Sequence, residues 1–147
     1  MSDLIIRQYH STDQNDVIEL WSQCGLVALQ NNPKRDIERK LQVNPEWFLV
    51  GELKGKIVAT CMAGYEGHRG WINYLAVSPE YKRHGCATQL IQEAEILLRD
   101  AGCPKINIQI RTSNTDVIEF YRAIGFKIDD VVSMGKRLVH DLPYGVE

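Results

Sequence analysis

Apolar residues recur along this chain with two spacings, one helical and one extended. From 87 to 101, Ala87, Leu90, Ile91, Ala94, Leu97, Leu98 and Ala101 stand three or four positions apart, drawing one stripe on a helix. Gly102 stops that helix and Pro104 follows it. Val17, Ile18, Trp21 and Cys24 make a second such face between Asp13, a capping residue, and Gly25. Asn32-Pro33 opens a third helix, because asparagine caps and proline suits the first helical position. Its seam is Ile37 and Leu41, with Arg35, Asp36, Glu38 and Arg39 left to water. A fourth is predicted over 115–124, with Thr112, Ser113 and Asn114 as caps and Gly125 as the stop.

Extended patterns fall between these helices. Strands are predicted at 4–9, 47–53, 56–65 and 71–77, with Lys54-Gly55 as a tight hairpin turn and 66–70 as a second turn. Residues 105–111 alternate cleanly, with Ile106, Ile108 and Ile110 on one face and Asn107, Gln109 and Arg111 on the other. Residues 126–128 and 131–138 read as a final hairpin around Asp129-Asp130, and 139–147 as a loose polar tail. This order gives an α/β (α+β) mixed sheet with helices on both faces. The helix at 87–101 joins two strands that lie parallel to each other.

Length and composition add bounds. A chain of 147 residues is the size of one domain, expected to span 1–147, and can bury a real core. A net charge of −2 gives no reason to expect nucleic acid or an anionic membrane as partner. No apolar run reaches the length of a membrane span, and Met1-Ser2-Asp3-Leu4 lacks a signal peptide's basic and apolar regions, so a cytoplasmic location is expected. Cys24, Cys61, Cys86 and Cys103 are far apart and read as free thiols. No metal site is expected: His68 near Cys61 gives two possible ligands, which do not make one.

The most informative stretch runs from Asn73 to Ala101. Tyr74-Leu75-Ala76-Val77 is a short apolar run, broken at Ser78-Pro79, and Lys82-Arg83-His84-Gly85-Cys86-Ala87 leads into the strongest helix. The first amides of that helix lack internal partners, and the helix dipole adds roughly half a positive charge there. Gly85 and Ala87 leave room for a close approach, and the basic residues deepen the field. The stretch reads either as an anion site suited to a pyrophosphate or as a plain strand-to-helix connection with solvated charges. A Walker loop needs Gly-Lys-Ser/Thr and a Rossmann turn needs Gly-x-Gly-x-x-Gly; neither is present.

These residues resemble motif A of the GNAT family of N-acetyltransferases, Gln/Arg-x-x-Gly-x-Gly/Ala, standing here as Lys82-Arg83-His84-Gly85-Cys86-Ala87 after Leu75-Ala76-Val77. Lys82 departs from the motif, keeping the charge without the planar side chain. The family's second signature is matched by Asn114, then Tyr121, then Gly125-Phe126. The resemblance spans essentially the whole chain. It extends to small bacterial members of the YpeA type, through Gly-His-Arg-Gly, Gly-Cys-Pro-Lys-Ile and Gly-Lys-Arg-Leu, and more distantly to RimI. It implies a GNAT fold: a central, mostly antiparallel sheet with one parallel strand pair that splays apart.

The resemblance further implies acetyl-CoA as cosubstrate and an amine, small-molecule or peptide, as acceptor. The pyrophosphate is expected on the amides of Arg83, His84, Gly85, Cys86, Ala87 and Thr88. The pantetheine arm is expected along the backbone of Leu75, Ala76 and Val77, like an added strand. Leu75 and Val77 also read as core. Asn114 reads as a pantetheine partner or as a helix cap. Tyr121 reads as the general acid to the departing thiolate, or otherwise as an amphipathic core tyrosine. No carboxylate stands where the family often places its base: the strand before motif A offers Trp71, Asn73 and Tyr74, and the RimI-like glutamate position is Gln109, an amide. Glu66, His68 or a water chain are the remaining candidates, and both side chains also read as solvated loop residues. A non-catalytic CoA-binding module is the competing reading. A homodimer is also among the expectations, since many GNAT proteins dimerise.

Overall fold

Five strands make one sheet in the order β1 (Ile5–Gln8), β2 (Phe48–Leu53), β3 (Lys56–Tyr65), β4 (Gly70–Val77) and β5 (Ile106–Asn107) in this computed structural model, which describes residues 3–28 and 31–145. The expectations that fall on residues 1, 2, 29, 30, 146 and 147 lie outside the described residues. The first four strands are antiparallel neighbours, and β4 and β5 are parallel. Among the described residues there are four α-helices: α1 (Gln14–Gln23), α2 (Pro33–Lys40), α3 (Cys86–Asp100) and α4 (Thr115–Ala123).

The two faces of the sheet bury separate cores, because side chains alternate across a strand. Against α1 and α2, Val17, Ile18, Trp21 and Ile37 pack with Phe48, Val50, Met62 and Ala76. Against α3 and α4, Leu90, Ile91, Ala94, Leu98 and Tyr121 pack with Val58, Cys61, Ala63 and Ile72. Each large side chain fully withdrawn from water, such as Trp21 or Leu90, contributes about 1.5–3 kcal/mol. Helix starts follow their signals: Asn32 accepts the Arg35 amide at 3.2 Å, with Pro33 at the first position. Asp13 precedes α1 without capping it; its carboxylate instead accepts the His10 amide and the Arg7 guanidinium, both at 2.8 Å.

Two features govern the site. The parallel pair is short: Gly70 meets Ile106 and Trp71 meets Asn107, and beyond Trp71 β4 runs on to Val77 with no β5 residue beside it. The expected strand over 105–111 is therefore confined to two residues. Ile106, Ile108 and Ile110 still pack inward, but a segment without a ladder on either side is not a strand. The second feature is a bulge. Thr60 pairs with Ala76 and Met62 with Asn73, so Tyr74 and Leu75 both stand opposite Cys61.

The expected hairpin over 126–138 does not form; residues 124–145 contain no strand. Phe126 packs against the core, but Val131, Val132, Met134 and Leu138 are 77–91% exposed. Alternation supplies propensity and no partner, and β5 offers too short an edge to recruit them. The tail is also less loose than expected. Asp141 makes a two-bond pair with Arg39, and the buried Asn32 amide donates to the Leu142 carbonyl at 2.9 Å. Among the described residues, no helix is long and apolar enough to cross a membrane.

Candidate active site

Site geometry begins where β4 ends. Ser78 is buried, its amide on the Val58 carbonyl at 2.7 Å, and the chain then leaves the sheet through Pro79–Tyr81. Arg83 (φ 65°) and Gly85 (φ 82°) adopt left-handed backbone, and Gly85 is the residue from which α3 starts. A left-handed turn here is inexpensive for glycine and strained for an L side chain. No side chain caps α3, and its first regular bond runs from Gln89 to the Gly85 carbonyl. The amides of Cys86, Ala87 and Thr88 thus open the helix as donors. Lys82, Arg83, His84 and Gly85 are exposed, so this end of α3 faces solvent directly. Cys86 points the other way and is buried in the core with Leu90.

Leu75, Val77, Cys86 and Tyr121 all join the core on the α3 face, whereas Ala76 belongs to the opposite core. The structure therefore brings Leu75, Val77, the motif A helix and Tyr121 to one side of the gap beyond Trp71, with the Ala76 side chain on the other. Tyr121 is 6% exposed and meets Phe120 and Phe126 edge-on, each at 5.1 Å between ring centres. Burial, with the Cys61 thiol adding to it, pushes its phenol well above the ordinary value. Cys61 itself is pushed up to about 12 by burial. Tyr121 also lines a groove of about 1440 Å³ between β5, α4 and residues 127–134.

Asn114 precedes α4, but its exposed side chain makes no capping bond. Gln109 donates to the Ser133 hydroxyl at 2.5 Å. Glu66 is occupied by its own turn, accepting the His68 amide at 3.0 Å and the Arg69 amide as well. Glu66 and His68 lie at the Gly70 end of β4, while α3 begins beyond the Val77 end. At strand rise, the length of β4 is on the order of 23 Å. Those two are therefore not brought together with the rest.

A network on the other face of β4 holds the bulge, and sequence reasoning missed it. Thr60, fully buried, donates to the Tyr74 carbonyl at 2.9 Å and accepts the Trp21 indole N–H at 2.8 Å. Tyr74 is itself left-handed (φ 50°), and its ring stacks on Trp21 at 3.8 Å. Its hydroxyl donates to Asp36 Oδ2 at 2.6 Å and accepts from Asn31 Nδ2 at 2.8 Å. Burial, then Asp36, holds this phenol above its usual range. Only the apolar period of Trp21 signalled any part of this. Among the described residues no group of three His, Cys, Asp or Glu comes together to hold a metal.

Comparison with known proteins gives a consistent result. The family described as "Acetyltransferase (GNAT) family" matches residues 11–126. An acetyltransferase of Yersinia pestis (strain Pestoides F) is 45% identical over 139 residues, covering 95% of this chain and 99% of its own. Solved structures share the fold as well. Ard1 from Thermoplasma volcanium has a TM-score of 0.74 at 21% identity, over 86% of this chain and 84% of its own. AAC(6')-Iy in complex with a CoA-based bisubstrate analogue has 0.75 at 20% identity, over 91% of this chain and 98% of its own.

Proposed function

Since the chain belongs to the GNAT family of acetyltransferases, we propose that it carries the acetyl group of acetyl-CoA onto an amine. The observation that carries this reading is the open edge of β4: its backbone beyond Trp71 lacks a β5 neighbour and leads straight to the uncapped start of α3. A chain-like ligand ending in a diphosphate matches both parts. The amides from Arg83 to Thr88 hold the diphosphate, and Leu75, Ala76 and Val77 pair with the pantetheine arm. The left-handed Gly85 and the solvent-facing loop fit that group, since neither a side chain nor a cap fills the space. Asn114, free of any capping duty, adds a side-chain amide to the pantetheine arm.

Acetyl-CoA supplies a thioester carbonyl for the amine nitrogen to attack and a sulfur that leaves with the C–S bond electrons. Tyr121 donates its hydroxyl proton toward that sulfur. The phenol is protonated at neutral pH, so its hydroxyl is available as the donor. The proton lost by the attacking amine passes to water, since Glu66 serves its turn and Gln109 is an amide bound to Ser133. The AAC(6')-Iy complex adds support for a CoA-derived donor in this fold.

Calorimetric titration with CoA, then free-thiol release from acetyl-CoA across a panel of amines, tests this. Tyr121→Phe is expected to lower kcat by about 100-fold with CoA affinity retained. Absence of binding heat would overturn the donor assignment, and unchanged turnover in Tyr121→Phe would remove Tyr121 from the chemistry.

A further inference from the structure

Two segments wall the groove beyond β5, residues 105–111 on one side and 127–134 on the other. In the first wall Ile106, Ile108 and Ile110 pack inward while Gln109 and Arg111 are exposed, the two-residue period of an extended chain. Lys105 donates to Asp129 at 2.8 Å and Gln109 to Ser133 at 2.5 Å, four residues further along each wall, so the second wall runs alongside in the same direction. The walls meet only through these side-chain tips. Among the described residues, no backbone amide or carbonyl of 108–110 or of 127–134 bonds to another backbone group. Such open backbone is a template for a further strand. The space between is about 1440 Å³, larger than the ~300–1,000 Å³ of a small-molecule pocket. Val131, Val132 and Met134 line it and are 77–91% exposed. Its charge is the reverse of the whole chain's. Five of the 17 Lys and Arg residues line it against two of the 19 Asp and Glu, although the chain carries −2. Lys105 is paired with Asp129, but Arg99, Arg111 and Lys127 have no carboxylate partner among the described residues. Residues 135–140 are a poor filler, since Lys136 and Arg137 bring the same charge and Asp141 and Leu142 are held on α2.

We propose that this groove docks an extended acidic peptide of a partner protein, added as a strand between the two walls. The open backbone on both sides supplies hydrogen bonds that any extended chain can use. Val131, Val132 and Met134 cover the apolar side chains of the peptide. Arg99, Arg111 and Lys127 select for glutamate and aspartate, because charge complementarity sets the choice of partner more than the strength of binding. A nucleic acid would answer the charge but neither the open backbone nor the apolar rim. The inference stands on the walls of the groove and needs no bound CoA.

Fluorescence anisotropy tests this with a labelled peptide of alternating glutamate and valine, about eight residues long. It should bind the full chain, and added salt should weaken it. A lysine–valine peptide should bind about tenfold more weakly or not at all. So should a glutamate–proline peptide, whose prolines keep the charge pattern and lack the N–H donors of a strand. Arg99→Glu combined with Arg111→Glu should weaken the glutamate–valine peptide by about tenfold or more, with thermal melts unchanged because both side chains are exposed. In the wild type, the peptide should slow amide hydrogen exchange at 108–110 and 127–134, a readout that needs no variant. No binding of the glutamate–valine peptide, or equal binding of the glutamate–proline one, overturns the proposal. So does binding that survives the double variant or leaves exchange at both walls unchanged. Equal displacement by single-stranded RNA makes the groove a general anion surface and overturns it too. A dimer in sedimentation whose walls are already protected without peptide gives the groove to a second copy and overturns it as well. Calorimetric titration with CoA should be the same in the double variant and the wild type, so failure here leaves the donor reading standing.

Discussion

Thr60→Val isolates the support of the bulge. The substitution keeps shape and strand preference and exchanges a hydroxyl for a methyl. In the wild type that hydroxyl is fully buried, accepts the Trp21 indole N–H at 2.8 Å and donates to the Tyr74 carbonyl at 2.9 Å. Valine leaves one donor and one acceptor buried without a partner, at about 1–3 kcal/mol each. The new methyl returns roughly 0.8 kcal/mol. The net loss is about 1–5 kcal/mol, which for a domain of this size lowers Tm by roughly 3–15 °C. Urea unfolding at neutral pH measures the loss, and the cycle with Trp21→Phe apportions it. Once the indole N–H is gone, Thr60→Val should cost less, because only the carbonyl remains unpaired. A Thr60→Val protein within about 0.5 kcal/mol of wild type, or a strictly additive double variant, would refute the reasoning.

Three further outcomes are expected. Gly85→Ala places a Cβ on a left-handed residue, so stability should fall by about 1 kcal/mol and CoA affinity by about tenfold, both read by titration calorimetry and thermal melts. The Asp13 carboxyl is held below its ordinary value chiefly by the hydrogen bond from Arg7. A carboxyl lowered in the folded state contributes stability above its unfolded pKa, near 4, and loses it as pH falls through the folded value. Asp13→Asn should therefore be less stable than wild type at pH 7, with the gap closing on acidification; urea midpoints that stay equally separated down to pH 2 would count against the pair. Asn32→Ala removes both the cap of α2 and the hold on Leu142, so a loss of about 2 kcal/mol is expected, with faster proteolysis after residue 139.

Local rules carried the helices well. Gly85 and the spacing of Leu90, Ile91, Ala94 and Leu98 define α3 with no knowledge of its neighbours. Asn32-Pro33 does the same for α2. The motif residues likewise marked the open end of β4, because the turn into α3 is written within one short stretch. What sequence did not carry depends on register. Thr60 looks like any strand threonine until its pairing with Ala76 sets it beneath the bulge. Tyr74 reads as an ordinary strand aromatic, since no glycine or asparagine signals its left-handed backbone. The hairpin over 126–138 failed for the opposite reason: Val131 and Val132 have the propensity of a strand and nothing to pair with. For Asn114, the local capping rule was outweighed, and its side chain stays exposed.

The contact between Asn32 and Leu142 joins residues 110 positions apart, and that between Arg39 and Asp141 joins residues 102 apart. During synthesis, α2 leaves the ribosome long before either partner exists. The Asn32 amide must wait in water while the sheet assembles, so the final seating of α2 follows the making of residues 141 and 142.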